Sequence, residues 1–224
     1  ILKRLNILLL FFLLIFAISC EVFEPKDYIP AYISVDEVDL ETLTEEGSDS
    51  HCISDCWLYV DNKLIGVFEV PFTVPVLDLG NRNVKIEPGI KNNGVDAQRI
   101  IYPMMYDYNL DTLLVEREII KIKPVFKYRP DKIHVLEDFD AAGTIFEKSE
   151  ESDTIISFVD DTNSFEGRSM AIYLDEQRSV FECKTSELYE LPKNVPVYLE
   201  IDYKNTDPFV FGFFVKEYSG GGIM

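Results

Sequence analysis

The sequence predicts an all-β protein: two β-sandwich domains, the first Ig-like or related and the second jelly-roll-like, behind a cleaved amino-terminal signal. Three observations predict it. From Ile29 onward apolar residues recur with period two, the spacing that lines one face of an extended strand. These short runs are separated by Pro, Gly, Asn and Asp clusters at turn spacing. Hardly any stretch past residue 28 carries the i, i+3, i+4 stripe of an amphipathic helix.

The first element is residues 1–19. Lys3 and Arg4 form a positive flank, and Ile7 to Ile18 is uninterrupted apolar sequence. As a helix those twelve residues reach about 18 Å, short of the roughly 30 Å of bilayer hydrocarbon. Ala17 and Ser19 are the small residues that a signal peptidase requires before its cut, here just ahead of Cys20. "AISC" resembles the lipobox of bacterial lipoproteins, with Ala17 where Leu is usual. The resemblance implies that Cys20 is acylated on sulfur, exposed by cleavage and acylated again on its amine. Several chains, at about 0.8 kcal/mol per buried methylene, make a stable anchor where one is marginal.

Residues 20–28 read as an acidic tether, with Glu21, Glu24 and Asp27 following the cysteine. Setting aside Lys3 and Arg4, 19 basic side chains face 40 acidic ones, a net charge of −21. Such a surface repels phosphates and so excludes nucleic acid as a partner. Three cysteines remain beyond Cys20: Cys52, Cys56 and Cys183. An odd number fits poorly with a disulfide framework. Residues 52 and 56 lie roughly 13 Å apart on an extended chain, beyond the ~7 Å that a bridge tolerates. His51 beside them has no second ligand pair at zinc spacing, so no metal site is expected.

The first domain is placed at residues 29–130. "YISVDEVDL" sets Ile33 and Val35 on one face, and "CWLYV" sets Cys56, Leu58 and Val60 against Trp57 and Tyr59. Asp61-Asn62-Lys63 reads as a hairpin turn into "LIGVFEV". Pro71 and Pro75 stop that strand. "NVKIEPGI" is expected to close at Pro88-Gly89, and Asn92-Asn93-Gly94 supplies another turn. "RIIYPMMYDY" and "LLVEREIIKIKPVFKY" bring the total to about seven strands, the number of an Ig-like sandwich. Taken together, "IPAYISVDEV", "SHCISDCWLYVDNKLIGVFEVPFTVPVL", "KIEPGIKNNGV" and "RIIYPMMYDY" resemble a group of uncharacterised surface-type lipoproteins of the Bacteroidota. The resemblance covers Ile29 to Tyr128 and implies a location and an architecture, with no catalytic residues. In that lineage an acidic tether accompanies export to the outer face of the outer membrane.

Tyr128 to Asp131 reads as the seam, and residues 131–224 as the second domain. "IHVLEDFD", "TIISFV", "SMAIYL", "SVFEC", "VPVYLEIDY" and "FVFGFFVKEY" are expected strands. The order of "FEGRSMAIYLD" and "YLEIDYK" resembles galactose-binding-like jelly rolls, which implies carbohydrate or protein binding. A jelly roll needs about eight strands. Ile1 is not Met, and "SGGGIM" directly follows an apolar stretch, so the expectation is a fragment whose second domain is incomplete.

Motifs for chemistry are sparse. The two histidines, His51 and His134, lie at strand starts and lack a nucleophile elbow, a zinc-helix motif, a P-loop or a dinucleotide fingerprint. Glu137, Asp138, Asp140, Glu147, Asp160 and Asp161 could serve a glycosidase only by abundance. Loop carboxylates in "EDFD" and "DDTN" suit calcium better, the one cofactor weighed. Tyr102, Tyr106 and Tyr108 share parity and would form a row able to stack on sugar rings if the chain there is extended.

The resulting expectation is a non-catalytic binding or adhesion module for glycan or protein, anchored in the outer membrane through Cys20. The competing readings are a structural accessory subunit docked to an outer-membrane barrel and, last, a glycan-acting enzyme. Replacing Cys20 with Ser should abolish radiolabelled palmitate incorporation and move the protein out of the membrane fraction. Unchanged labelling and fractionation would refute the anchor.

Overall fold

The computed structural model describes residues 28–130, 132, 135–160 and 162–214. The signal, Cys20 and most of the tether lie outside the described residues. The protein is nearly all β, and helix among the described residues is limited to two three-residue 3-10 turns, Thr44–Glu46 and Asn92–Gly94. No helix among them is long and apolar enough to cross a membrane. The chain divides into two compact units. Described residues 28–41 and 52–127 form the first, and 42–51 with 128–214 form the second.

The first unit carries ten strands. They are β1 (Ala31–Val35), β2 (Asp39–Glu41), β3 (Asp55–Val60), β4 (Lys63–Glu69), β5 (Phe72–Val76), β6 (Gly80–Lys91), β7 (Arg99–Ile101), β8 (Tyr108–Leu114), β9 (Ile119–Ile122) and β10 (Val125–Lys127). A five-stranded antiparallel sheet has the order β4-β3-β6-β7, with β8 also pairing β6. A second sheet has the order β5-β1-β9, in which β1 is antiparallel to β5 and parallel to β9. Further along, β2 and β10 pair in parallel.

Alternation explains the core. Ile33 and Val35 of β1, Cys56, Leu58 and Val60 of β3, Val84 and Ile86 of β6, and Phe126 of β10 are all buried. The expected hairpin forms as a two-residue turn in which Asp61 and Asn62 both take positive φ (49° and 64°). That conformation matches the twist of the flanking strands and suits Asp and Asn. One expectation is corrected: Pro88-Gly89 does not end a strand, because β6 continues to Lys91. The Pro88 carbonyl accepts the Tyr102 N–H at 2.7 Å. The N–H that Pro88 lacks would face the same side, where residues 103–107 have left the ladder, so no partner is missed.

The parallel pairs carry opposite charges on neighbouring strands. Lys121 bonds Asp36 at 3.1 Å, Lys123 bonds Glu37 at 2.9 Å and Asp39 at 2.8 Å, and Lys127 bonds Glu41 at 2.6 Å. The Lys121 hydrogen bond holds the Asp36 carboxyl below its ordinary value, and the bonds to Asp39 and Glu37 hold the Lys123 ammonium above its own. These pairs are solvent-exposed, so they set register more than they add stability.

The second unit has four short strands among the described residues: β11 (Phe146–Lys148), β12 (Ser157–Val159), β13 (Ser169–Ala171) and β14 (Cys183–Thr185). They form two antiparallel pairs, β11-β14 and β12-β13. The strands expected at 135–140, 195–203 and 209–214 do not form. Alternation alone does not make a strand, since its backbone groups also need an edge to pair with. Local bonds order these stretches instead. Tyr128 Oη donates to Glu200 at 2.8 Å, and the Ser48 and Ser50 hydroxyls donate to Asp202 at 3.1 and 2.9 Å. Phe139 stacks with Phe146 and leans on Phe158, whose ring lies under the Arg168 guanidinium.

Leu58 is fully buried at the centre of the five-stranded sheet. Leu58→Ala should therefore lower unfolding free energy by roughly 2–5 kcal/mol in urea titrations, from lost burial and the cavity left behind.

Candidate functional site

The alternation that buries Cys56, Leu58 and Val60 turns Trp57 and Tyr59 to the opposite face of the five-stranded sheet. Register then decides their neighbours. Trp57 stands opposite Glu87 and Tyr59 opposite Lys85 on β6; Lys85 stands opposite Asn109, and Asn83 opposite Asp111, on β8. Two rings thus lie beside a row of charged and amide side chains.

The contacts are specific. Lys85 Nζ sits 4.2 Å from the centroid of the Tyr59 ring and 2.7 Å from Glu87 Oε1. The Lys85 and Glu87 side chains are only 21% and 20% exposed, so the pair is shielded although it faces outward. The hydrogen bond to Glu87 raises the Lys85 pKa, and burial followed by the Glu87 charge raises that of Tyr59. On the other side of Trp57, Asp55 is buried and holds Arg99 at 2.6 Å, with the Ser54 hydroxyl donating to the same carboxylate at 2.7 Å. That bond raises the Arg99 pKa.

Gly89 makes this arrangement fit. It stands opposite Asp55, and a Cβ there would lie 2.9 Å from Asp55 Cβ and 3.1 Å from Trp57 Cδ1. Glycine therefore leaves the space that the indole occupies. The indole Nε1 is buried without a hydrogen-bond partner. Such an orphaned donor costs on the order of 1–3 kcal/mol.

Toward the far end of β6 the face opens into a shallow groove of about 370 Å³ lined by Asn81, Arg82, Asn83, Asp111, Thr112 and Leu113. Asn83 Nδ2 donates to Asp111 Oδ1 at 2.8 Å, and Arg82 is held 2.8 Å from Asp61 Oδ2. The Asn83 backbone N–H, and then Arg82, keep the Asp61 carboxyl below its ordinary value. The Asn81 and Asn83 amides and the Asp111 carboxylate share the outward parity there, while Arg82 and Thr112, opposite each other, alternate with them.

The residues expected to bind fare differently. Tyr102, Tyr106 and Tyr108 do not form one row. A turn at Pro103-Met104 interrupts the strand, so parity no longer relates the three rings. Tyr102 is 4% exposed, Tyr106 is 45% exposed, and Tyr108 begins β8 opposite Ile86, on the core side. Cys20, His134 and Asp161 lie outside the described residues. Among the described residues no cluster of three or more His, Cys, Asp or Glu could hold a metal ion. Two of the calcium candidates are otherwise engaged: Glu137 accepts from the Phe139 and Ile145 backbone N–H groups and the Thr144 hydroxyl, and Asp138 accepts from the Asp140 N–H. Glu147 pairs with Lys184 at 3.1 Å.

Sequence reasoning separated Trp57 and Tyr59 from the core residues by parity but missed the face itself, because only the β3–β6 register brings Lys85 and Glu87 beside them. No family model, no curated protein and no solved structure matches the chain.

Cys52, Cys56 and Cys183 are free thiols. Cys52 is exposed, while burial, aided by the Asp55 charge, pushes the Cys56 thiol up to about 12. At pH 8 a maleimide should label Cys52 within minutes and Cys56 only after denaturation, as read by peptide mass spectrometry. Rapid native labelling of Cys56 would contradict the packing of β3.

Proposed function

We propose that the chain is a non-catalytic binding module, held at the outer membrane by acyl chains on Cys20 and engaging a glycan or an envelope protein. The observation that carries the binding part is the outward face of the five-stranded sheet, where two half-buried rings lie among matched charges and a polar groove. An outward sheet face has no need of a buried Asp55–Arg99 pair or a shielded Lys85–Glu87 pair for solubility. Buried charge is expensive, and one attested use of it is to fix how neighbouring groups are arranged. The anchoring part rests on the charged flank, the short apolar run and "AISC". On this reading the first unit is an Ig-like sandwich that presents the face. The second is a jelly-roll-like domain, supported by the strand rhythm of its sequence. The resemblance to Bacteroidota surface lipoproteins supports the same placement.

A second reading has its own observation. Val210 is 98% exposed, and Phe211, Phe213 and Phe214 beside it are exposed as well. Contiguous exposed apolar surface of this kind commonly marks protein contact. It favours an accessory subunit of an outer-membrane assembly. Mild solubilisation of cells and glycan-array screening of the purified protein separate the two. Saturable glycan binding without a stoichiometric barrel partner supports the module. Stoichiometric co-purification with a barrel, lost on Phe211→Ser and Phe214→Ser, supports the accessory subunit.

A further inference from the structure

We infer that the outward face of the five-stranded sheet binds an uncharged oligosaccharide, with Trp57 and Tyr59 supplying ring surface and the Asn83–Asp111 groove bonding hydroxyls. The inference rests on the binding-module reading and narrows it to one ligand class and one place.

The charges on this face select the ligand. Lys85 is neutralised by Glu87, Arg99 by Asp55 and Lys91 by Asp96 at 2.7 Å, and at the strand's end Arg82, of the other parity, is held by Asp61. An anionic ligand would have to displace a carboxylate already in contact, within a protein that carries 40 acidic residues against 21 basic. A cationic ligand would have to displace a lysine or an arginine from its carboxylate, or the Asn83 amide from Asp111. A neutral ligand leaves every pair intact. It also meets the remaining polar surface on its own terms: the Asn81 and Asn83 amides both donate and accept, as sugar hydroxyls do.

The shape points the same way. Rows of residues along β6 from Glu87 to Asn83 span roughly 13 Å at strand rise, from the indole to the groove. A single sugar ring does not bridge that distance, and an extended oligosaccharide does. The groove is open and polar, and at about 370 Å³ it falls at the small end of ligand sites. Protein-interface cores are depleted of charge, whereas this face has a charge pair on either side of Trp57. A ring against the apolar face of a pyranose, flanked by hydrogen-bonding side chains, is an economical recognition scheme, because each aromatic side chain has only two rotors to freeze.

Trp57 is the sole tryptophan of the chain, so fluorescence excited selectively at tryptophan reports on this face alone. The protein should be titrated with neutral gluco-, xylo-, manno- and galacto-oligosaccharides, and in parallel with uronate-containing and sulfated ones. The expected result is a saturable emission shift with at least one neutral series and none with the charged series. Asn83→Ala and Asp111→Ala should each weaken that binding tenfold or more while leaving the urea midpoint unchanged. Both side chains lie at the groove, away from the core, so these variants fold. Tyr106→Ala, on a different segment, should bind as the unaltered protein does. A preference for the charged series, or unchanged affinity in both groove variants, overturns the inference while leaving a binding module in place. If no oligosaccharide of either series produces a saturable response, the inference falls. If crosslinking on intact cells then also finds no protein neighbour, the binding-module reading falls with it.

Discussion

The first unit depends on the register of β6. This twelve-residue strand pairs β3 along one side and, along the other, β8 and then β7. Side chains alternate with period two, so a slip of one residue would exchange its faces. Val84, Ile86 and Pro88 would leave the core, and Lys85 and Glu87 would enter it. Both the apolar interior and the outward row of rings and charges therefore follow from one pairing. The constraint is steep because the buried side is continuous, with Val84 and Ile86 at 0% exposure opposite Val60 and Leu58.

Charge placement reinforces that register without carrying the fold. Asp55 and Arg99 join β3 to β7 across the width of β6, and Lys85 meets both Tyr59 of β3 and Glu87 of its own strand. The Asp55–Arg99 pair and the Lys85–Tyr59 contact are satisfied only in the observed alignment, whereas Lys85 and Glu87 share a strand. The cost of desolvating them is offset by close hydrogen bonds, and breaking one member would leave the other stranded. Gly89 belongs to the same set, since its missing side chain lets the indole lie between the two clusters.

Much of the first unit was readable from sequence because its signals are local. Ile33 and Val35 announced a buried face by parity, and Asp61-Asn62 announced a turn by residue type. Trp57 and Tyr59 announced the outward side of β3. What stayed hidden depends on distant pairing. Pro88-Gly89 looks like a stop until it is seen to face a gap in the ladder. The tyrosines look like a row until Pro103-Met104 turns the chain. Nothing local in residues 42–51 shows that they pack with residues beyond 128. In the second unit, alternation at 195–203 and 209–214 promised strands, but a strand exists only where another edge receives it, and rhythm cannot report that.

The parallel pairing of β1 with β9 and of β2 with β10 has a mechanical consequence. These strands lie at the two ends of the unit's chain path. Tension between those ends would draw parallel neighbours past each other, loading their hydrogen bonds in shear, all at once, instead of unzipping them singly. The lysine–carboxylate rungs at Asp36, Glu37, Asp39 and Glu41 lie along the same line of load. Were the chain held by its amino end, as proposed above, such a seam would work as a force-bearing clamp.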